Sequence, residues 1–277
     1  MDLCEIIKKS LIVVMAAVWA LGAARGEEPL DELRQAAQEG NAWAKWYLEL
    51  RNGKGWNEKF VEEVVKAQRK AAEEGNVEAQ FCLALWYAKG EGVKQSDEEA
   101  VKWWRRAAEG GHAASQCRLG ECYCYGRGVE VSYDEAAKWW RKAAEQGLAR
   151  GQYEMGWCYE NGKGVGQSDE EAVKWYRKAV EQGYARAEYN LGWCYFKGRG
   201  VAQSEVEAFR WWCKAAQGGH VKAQCNLGWC YEKGRGVEQS DLKALEWYMK
   251  AARQGDEYAK KAIKRLEKKR AEGKGQE

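Results

Sequence analysis

The side chains best suited to chemistry in this chain are ten cysteines and two histidines. Four of the cysteines, Cys122, Cys158, Cys194 and Cys230, follow one another at intervals of 36 residues. Thiols could form disulfides, bind a metal ion or attack a substrate as nucleophiles. A nucleophile also needs a neighbouring base, and a metal ion needs several ligands at one point. Which chemistry is open to these residues therefore depends on the elements that carry them.

The interval of 36 residues is the period of a repeat that runs from residue 77 to residue 256 in five copies, without insertion or deletion. All copies have a small residue at repeat position 8, tyrosine at position 11, glycine at positions 14, 16 and 35, and tryptophan at position 27. Periods in this range are typical of solenoids, in which stacked units share a continuous core and present an extended concave surface. The sequence therefore predicts one elongated repeat domain.

Each copy is expected to form two helices. In the fourth copy, residues 185–220, Leu191 and Tyr195 lie one helical turn apart on an apolar stripe, and glycines then end the helix. A second helix is predicted to begin after Ser204, which forms a capping box with Glu207. Because large rings beside alanines bury much apolar area, the tryptophans at position 27 are predicted to be core. They are Trp103, Trp139, Trp175, Trp211 and Trp247.

This architecture argues against disulfides within the cysteine column. Equivalent positions of stacked helices lie about 8 to 10 Å apart, whereas a disulfide requires alpha carbons within about 7 Å. We expect these cysteines to be buried free thiols that act as small apolar residues. Cys213 stands where the other copies have arginine or methionine, so it is predicted to be exposed and the most reactive thiol.

The repeat also separates the two histidines. His112 and His220 are three repeats apart, which places them roughly 25 to 30 Å from each other in a stack of helices. They cannot share a metal ion or a catalytic base. The Gly-x-Gly pairs follow a helix rather than a strand, so they are not phosphate-binding loops. Neither GxSxG nor HExxH occurs in the sequence, and no SxxK constellation of a catalytic serine is expected. We therefore predict no catalytic residues, no cofactor and no metal site.

Charge gives little support for nucleic acid as a partner. The net charge is only +3, and the 45 basic and 42 acidic residues are interleaved along the chain. Such mixing is typical of solvated helix faces with ion pairs between successive turns, rather than of a basic binding surface.

The first 26 residues have the pattern of a secretory signal peptide. Lys8 and Lys9 precede an apolar run from Leu11 to Ala24, and cleavage is expected after Ala24 or Gly26. The run of about 14 residues is short for a membrane span, which needs about 20. An uncleaved anchor formed by residues 1–24 is the alternative. The pattern places the mature protein in a bacterial periplasm or outside the cell.

The repeat motif A-x3-LG-x2-Y-x2-G-x-GV, followed by A-x2-WW-x-KAA-x2-G, resembles the Sel1-like repeat family, a relative of tetratricopeptide repeats. In the second copy the motif is carried by Leu119, Gly120, Tyr123, Gly126 and Val129. The resemblance extends over about residues 41–270 and implies an all-α fold, a right-handed α-solenoid of 36-residue helix-turn-helix repeats.

The resemblance divides the chain into successive segments. After the signal peptide, residues 27–40 are predicted to form a half-repeat helix and residues 41–76 a degenerate repeat. Five repeats follow at 77–112, 113–148, 149–184, 185–220 and 221–256. Residues 257–277 are predicted to form a capping helix and a polar tail.

The resemblance further implies that positions 2, 5, 9 and 12 of each first helix line a concave groove. In the C-terminal repeats these positions are aromatic and charged, which favours a protein or peptide as the partner. The predicted binding residues are Trp157, Trp193, Trp229, Tyr153, Tyr189, Phe196, Arg150, Arg186 and Lys222. The alternative is that the three tryptophans only pack between adjacent first helices.

Two other functions stay open. A cysteine-rich branch of the family is associated with β-lactam or cell-wall enzymes and links its repeats by disulfides between cysteines about eight residues apart. Here Cys117 and Cys225 would need partners where Glu109 and Gln217 stand. Stacked tryptophans could also face a carbohydrate, or the chain could be a structural spacer. Our main prediction is a non-enzymatic scaffold that binds a protein or peptide. The sequence alone sets neither the identity of that partner nor the oligomeric state.

Overall fold

The computed structural model describes residues 58–273. Within that range the chain forms twelve α-helices and no strand, which confirms the all-α prediction. The chain divides into two compact units, one ending at Gly110 and one beginning at Gly111. The predicted signal peptide, the half-repeat helix of residues 27–40, residues 41–57 of the degenerate repeat and the last four residues of the polar tail lie outside the described residues.

The described part of the first unit contains three helices, α1 (Glu58–Glu73), α2 (Val77–Lys89) and α3 (Asp97–Glu109). The hairpin α2–α3 is the first repeat. Its core contains Leu83, Ala84 and Trp104, all buried. Gln80 Nε2 donates to the carbonyl oxygen of Ala72 at 3.0 Å and so ties the repeat to α1.

The second unit contains four further hairpins and a closing helix. These helices are α4 (Ala113–Tyr125), α5 (Tyr133–Glu145), α6 (Ala149–Asn161), α7 (Asp169–Val180), α8 (Ala185–Lys197), α9 (Glu205–Gln217), α10 (Val221–Lys233), α11 (Asp241–Arg253) and α12 (Glu257–Gly273). The two helices predicted for each repeat are therefore present.

Local signals set the ends of these helices. In the fourth repeat α8 ends at Gly198, which has a left-handed φ of 68° and donates its N–H to the carbonyl of Cys194. The Ser204 hydroxyl accepts the N–H of Glu207 at 3.2 Å and begins α9. In the last repeat Ser240 caps α11 in the same way, although lysine replaces the glutamate of the capping box. The hydroxyl alone thus preserves the helix start.

The deepest rings of the second unit lie at repeat position 28, next to the column that the sequence predicts as core. Trp140, Tyr176, Trp212 and Tyr248 are all at most 1% exposed. Each ring faces a glycine at position 8 of the same repeat. A Cβ added at Gly192 would lie 2.5 Å from Cδ1 of Trp212. The small residue at position 8 is therefore required because a large ring occupies the space above it.

The position 27 tryptophans form the margin of the core. Trp103, Trp139 and Trp175 are buried as predicted, but Trp211 and Trp247 are only half-buried. Every one of these rings has a cation over its face from the following turn, as Lys214 does at 4.3 Å from the centre of the Trp211 ring. A ring that contacts the core on one side and a solvated lysine on the other contributes less to the free energy of unfolding than a fully buried ring does.

The cysteine column is buried and forms no disulfide, as predicted. None of the nine cysteines within the described residues is bonded to another cysteine. Burial raises the pKa of Cys158, Cys194 and Cys230 to about 12, so these thiols are protonated at neutral pH. The exposure predicted for Cys213 is wrong. It is half-buried against the core around Trp212, and burial raises its pKa to about 11, which makes it a poor nucleophile.

Candidate binding groove

Two adjacent clefts lie along the first helices at the C-terminal end of the second unit. The first cleft, which we call the aromatic cleft, has a volume of about 420 Å³. Its aromatic lining consists of Tyr189, Trp193, Phe196, Trp212, Trp229 and Tyr258. Lys197, Lys222, Cys225, Asn226 and Asp256 complete the lining.

The rings of the aromatic cleft form a continuous series. Trp193 and Phe196 lie edge to face with their centres 5.5 Å apart, and Phe196 meets Trp229 of the next repeat at 5.6 Å. Trp193 also contacts the buried ring of Trp212 at 5.3 Å. Because Tyr189, Trp193 and Phe196 are spaced by four and three residues, they lie on one face of α8. The half-buried rings of Trp193 and Trp229 thus rest on a rigid core and present their other sides outward.

The second cleft, of about 570 Å³, is the basic cleft. Its lining consists of Tyr153, Arg186, Tyr189, Asn190, Gly219, His220, Val221 and Lys222. Tyr189 and Lys222 line both clefts, which places the two side by side. The ring of His220 lies 4.5 Å from that of Tyr189, and its Nδ1 accepts the N–H of Ala223 at 3.2 Å. His220 therefore caps α10 and supports the floor of the cleft.

The charge of the basic cleft acts on His220. Burial lowers the pKa of His220 most, and the positive charges of Arg186 and Lys222 lower it further. The histidine is consequently neutral at physiological pH, and the charge of the cleft comes from Arg186 and Lys222.

Seven of the nine predicted binding residues line these clefts, namely Tyr153, Tyr189, Trp193, Phe196, Arg186, Lys222 and Trp229. The other two do not. Trp157 packs edge to face on Trp140, with ring centres 6.2 Å apart, and Arg150 pairs with Glu121. The ring series does not extend to Trp157 because position 12 of that repeat is Glu160, which accepts the hydroxyl of Tyr176 at 2.6 Å.

Several cleft residues were missed by the sequence prediction. Lys197 and Asn226 lie on first helices at positions that were not considered, and Trp212 comes from a second helix. Tyr258 belongs to α12, outside the repeats, so periodicity gives no signal for it. Asp256 ends the last repeat and caps α12 by accepting the N–H of Ala259 at 2.8 Å.

A separate group of charges lies near the start of the second unit. Glu121 is buried and pairs with both Arg150 and Arg118. Glu154, on the next first helix, has its pKa raised from 4.5 to about 7, chiefly by burial and then by the charge of Glu121, with partial compensation from Arg150 and Arg186. Folding therefore disfavours the ionised form of Glu154.

This shift predicts a pH dependence of stability. Folded Glu154 holds its proton more tightly than the unfolded chain, so its contribution to the free energy of unfolding is full below pH 4.5 and is lost as pH rises to about 7. We expect Glu154→Gln to be more stable than the wild type at pH 8, by at most about 3 kcal/mol, and to match it near pH 4.

Urea denaturation across this pH range measures the effect. Glu145→Gln, which removes an exposed carboxylate of α5, controls for the change in net charge. If the free energy of unfolding of Glu154→Gln differed from that of the wild type by the same amount at every pH, the raised pKa would be contradicted.

One pair in the chain has the Ser-x-x-Lys spacing of an activated serine, Ser240 and Lys243. The Ser240 hydroxyl accepts the backbone N–H of Lys243 at 3.3 Å, whereas Lys243 Nζ lies 5.5 Å from the centre of the Tyr231 ring. The pair begins a helix and does not form a nucleophile with a base.

Among the described residues no group of His, Cys, Asp or Glu could hold a metal ion. In that same part of the chain no helix is long and apolar enough to cross a membrane.

Comparison with known proteins gives a consistent result. The family model described as the Sel1 repeat matches residues 77–112, 113–148, 149–184, 185–220 and 221–256. A protective antigen present in uropathogenic Escherichia coli strains, which displays an SLR fold, is 35% identical over 86% of this chain, with a TM-score of 0.72. The chain spans 51% of that protein's length.

A second solved structure, a Sel1 repeat protein from Oxalobacter formigenes, is 34% identical. The match covers 78% of this chain and 84% of that protein, with a TM-score of 0.67. No functionally curated protein matches the chain significantly.

Proposed function

The chain belongs to the Sel1 repeat family, whose helical-hairpin solenoids typically mediate protein interactions, and on that premise we propose that it is an exported, non-enzymatic scaffold. It binds a protein or peptide partner in the groove formed by the aromatic and basic clefts. The observation that carries the proposal is the series of half-buried rings from Trp193 through Phe196 to Trp229.

The energetics of interfaces support this use of the groove. Tryptophan, tyrosine and arginine supply most of the binding energy at protein interfaces, especially in pockets that exclude water. The aromatic cleft concentrates six rings around about 420 Å³, a volume that admits one large side chain and its neighbours. Since Trp193 is held from behind by Trp212 and Phe196, little side-chain entropy is lost when a partner binds.

The proposal is tested by partner capture with a matched control. Wild-type protein, Trp193→Ala/Trp229→Ala and Trp157→Ala are immobilised and exposed to a cell-envelope extract. Trp157 occupies the same repeat position as the two cleft tryptophans but lines neither cleft. We expect a specific protein to be recovered with the wild type and Trp157→Ala, and at least about tenfold less with the double variant.

Circular dichroism must show that all three proteins stay helical. Equal recovery of every extract protein with wild type and double variant would remove the groove as the binding site. Recovery of nothing specific with the wild type would count against the scaffold proposal itself.

Export is supported by the sequence of residues 1–26 and places the scaffold in a bacterial periplasm or outside the cell. The intact mass of protein recovered from the envelope fraction of a producing bacterium tests this. A chain that begins at Arg25 or Glu27 fits cleavage after Ala24 or Gly26. Recovery of the uncleaved chain in the cytoplasm would contradict export.

The non-enzymatic part of the proposal has its own test. The Ser240 hydroxyl is engaged as a helix cap, and the thiols with raised pKa values are protonated at neutral pH. We therefore expect no turnover of a chromogenic β-lactam. Turnover that persists in pure protein and is lost on Ser240→Ala would overturn this part.

A further inference from the structure

Three exposed cations of the groove lack the ion pair that one cation of each second helix from the second to the fourth repeat forms. On the second helices, cations pair with a glutamate one turn earlier, as Lys138 does with Glu135 at 2.6 Å and Arg210 with Glu207 at 2.6 Å. Within the described part of the chain, Arg186, Lys222 and Lys197 have no such ion pair. The groove thus retains positive charge that is not neutralised by ion pairs of this kind.

The same contrast holds within one repeat position. Arg150, Arg186 and Lys222 all occupy position 2 of a first helix. Arg150 is held by Glu121, a position 9 residue of the preceding repeat. In the following repeats position 9 is Trp157 and Trp193, so the acid that pairs with Arg150 has no counterpart beside the next two cations. Arg186 is attracted at longer range by Glu154, but within the described residues neither Arg186 nor Lys222 forms an ion pair. Both cations therefore lie beside aromatic surface without a directly paired carboxylate.

Carboxylates of the protein do not offset this charge within the clefts. The lining of the basic cleft contains no Asp or Glu among the described residues. The aromatic cleft contains Asp256, whose Oδ1 accepts the N–H of Ala259 at 2.8 Å as the cap of α12. Two cations of the basic cleft and the neighbouring Lys197 therefore face a single carboxylate that is already engaged.

From this arrangement we infer that the occupant of the groove is an acidic segment of a partner protein, with one large apolar side chain in the aromatic cleft and neighbouring carboxylates over Arg186 and Lys222. The inference rests on the proposed function and specifies the chemistry of its partner. Because Tyr189 and Lys222 line both clefts, the apolar side chain and the carboxylates are separated by only a few residues of the occupant. Charge complementarity of this kind selects partners and accelerates association.

A random peptide library displayed on phage tests the inference while the partner is still unidentified. Panning on the wild-type protein is expected to enrich peptides in which an aromatic or large aliphatic residue is followed or preceded closely by Asp or Glu. Panning on Arg186→Glu/Lys222→Glu is expected to lose the acidic preference. Both residues are exposed, so the substitutions leave the core intact.

Fluorescence anisotropy with a labelled selected peptide then measures the effect. Arg186→Glu/Lys222→Glu is expected to weaken binding by at least about tenfold, and added salt should weaken binding to the wild type. Lys261→Glu/Lys264→Glu gives the same change in net charge on α12, where neither residue lines a cleft, and should alter binding by less than about twofold.

The outcomes separate this inference from the proposed function. Selected peptides that require Trp193 and Trp229 but are not acidic, or whose binding ignores the charge reversal, would overturn the inference and leave the scaffold proposal standing. Equal weakening by both charge-reversal pairs would also overturn it, since the effect would then be one of net charge. A selection that yields no peptide dependent on Trp193 and Trp229 would contradict both.

Discussion

Replacing Trp212 with alanine is expected to lower the free energy of unfolding by about 4 kcal/mol, whereas replacing its neighbour Trp211 should cost only about 2 kcal/mol. Trp212 is 1% exposed, and its Nε1 donates to the carbonyl oxygen of Tyr189 at 3.1 Å. The ring lies against Gly192, which has no side chain to fill the space that the substitution leaves. The cost therefore combines a lost transfer free energy, a cavity and a lost hydrogen bond.

Trp211 provides the comparison because it has the same side chain one residue earlier. It is half-buried, and Lys214 lies over its outer face. Its removal exposes part of the core margin but opens no enclosed cavity. Urea denaturation followed by far-UV circular dichroism measures both losses, and hydrogen exchange shows whether unfolding is confined to α8 and α9. Equal losses, or a larger loss for Trp211, would refute the distinction between the two tryptophan columns.

Gly200→Ala is the second substitution with a large expected effect, a loss of about 3 kcal/mol. Gly200 has a φ of +65°, a conformation that costs an L-residue about 1 kcal/mol. A Cβ there would also lie 2.5 Å from the carbonyl carbon of Asp169 and 2.8 Å from the backbone nitrogen of Glu170. These are backbone atoms at the start of α7, which cannot move as a flexible side chain could. Overpacking of this kind costs about 1 to 3 kcal/mol.

Gly183→Ala separates the two contributions. Gly183 has a similar φ of +70°, but nothing lies within 4 Å of an added Cβ. We expect this variant to lose only about 1 kcal/mol, the cost of the backbone conformation. The same urea denaturation applies to both variants. If Gly183→Ala were as destabilising as Gly200→Ala, the contact between the loop of one repeat and the second helix of the preceding repeat would carry no energetic weight.

The repeating hairpins of this protein could be predicted from the amino-acid sequence. The helix ends at Gly198 and Ser204 depend on residues within one turn of the chain, and the period of 36 residues fixes where each hairpin recurs. Burial of the cysteine column also followed from its helical spacing. Local backbone preferences and periodicity are properties of short segments, so they can be read without knowing which segments meet.

The contacts between side chains could be determined only from the folded structure. Adjacent tryptophans such as Trp211 and Trp212 differ by about 100° around the helix axis, and only the packing of neighbouring helices shows that the second one faces the core. The sequence placed Trp157 with the cleft tryptophans, but Glu160 interrupts the ring series and Trp157 packs on Trp140. Arg150 forms an ion pair because position 9 of the preceding repeat is Glu121. Arg186 and Lys222, its counterparts at position 2, follow repeats with tryptophan at position 9 and form no such pair among the residues that the structure describes. Periodicity identifies equivalent positions, but the environment of each position depends on contacts between segments that the chain brings together only when it folds.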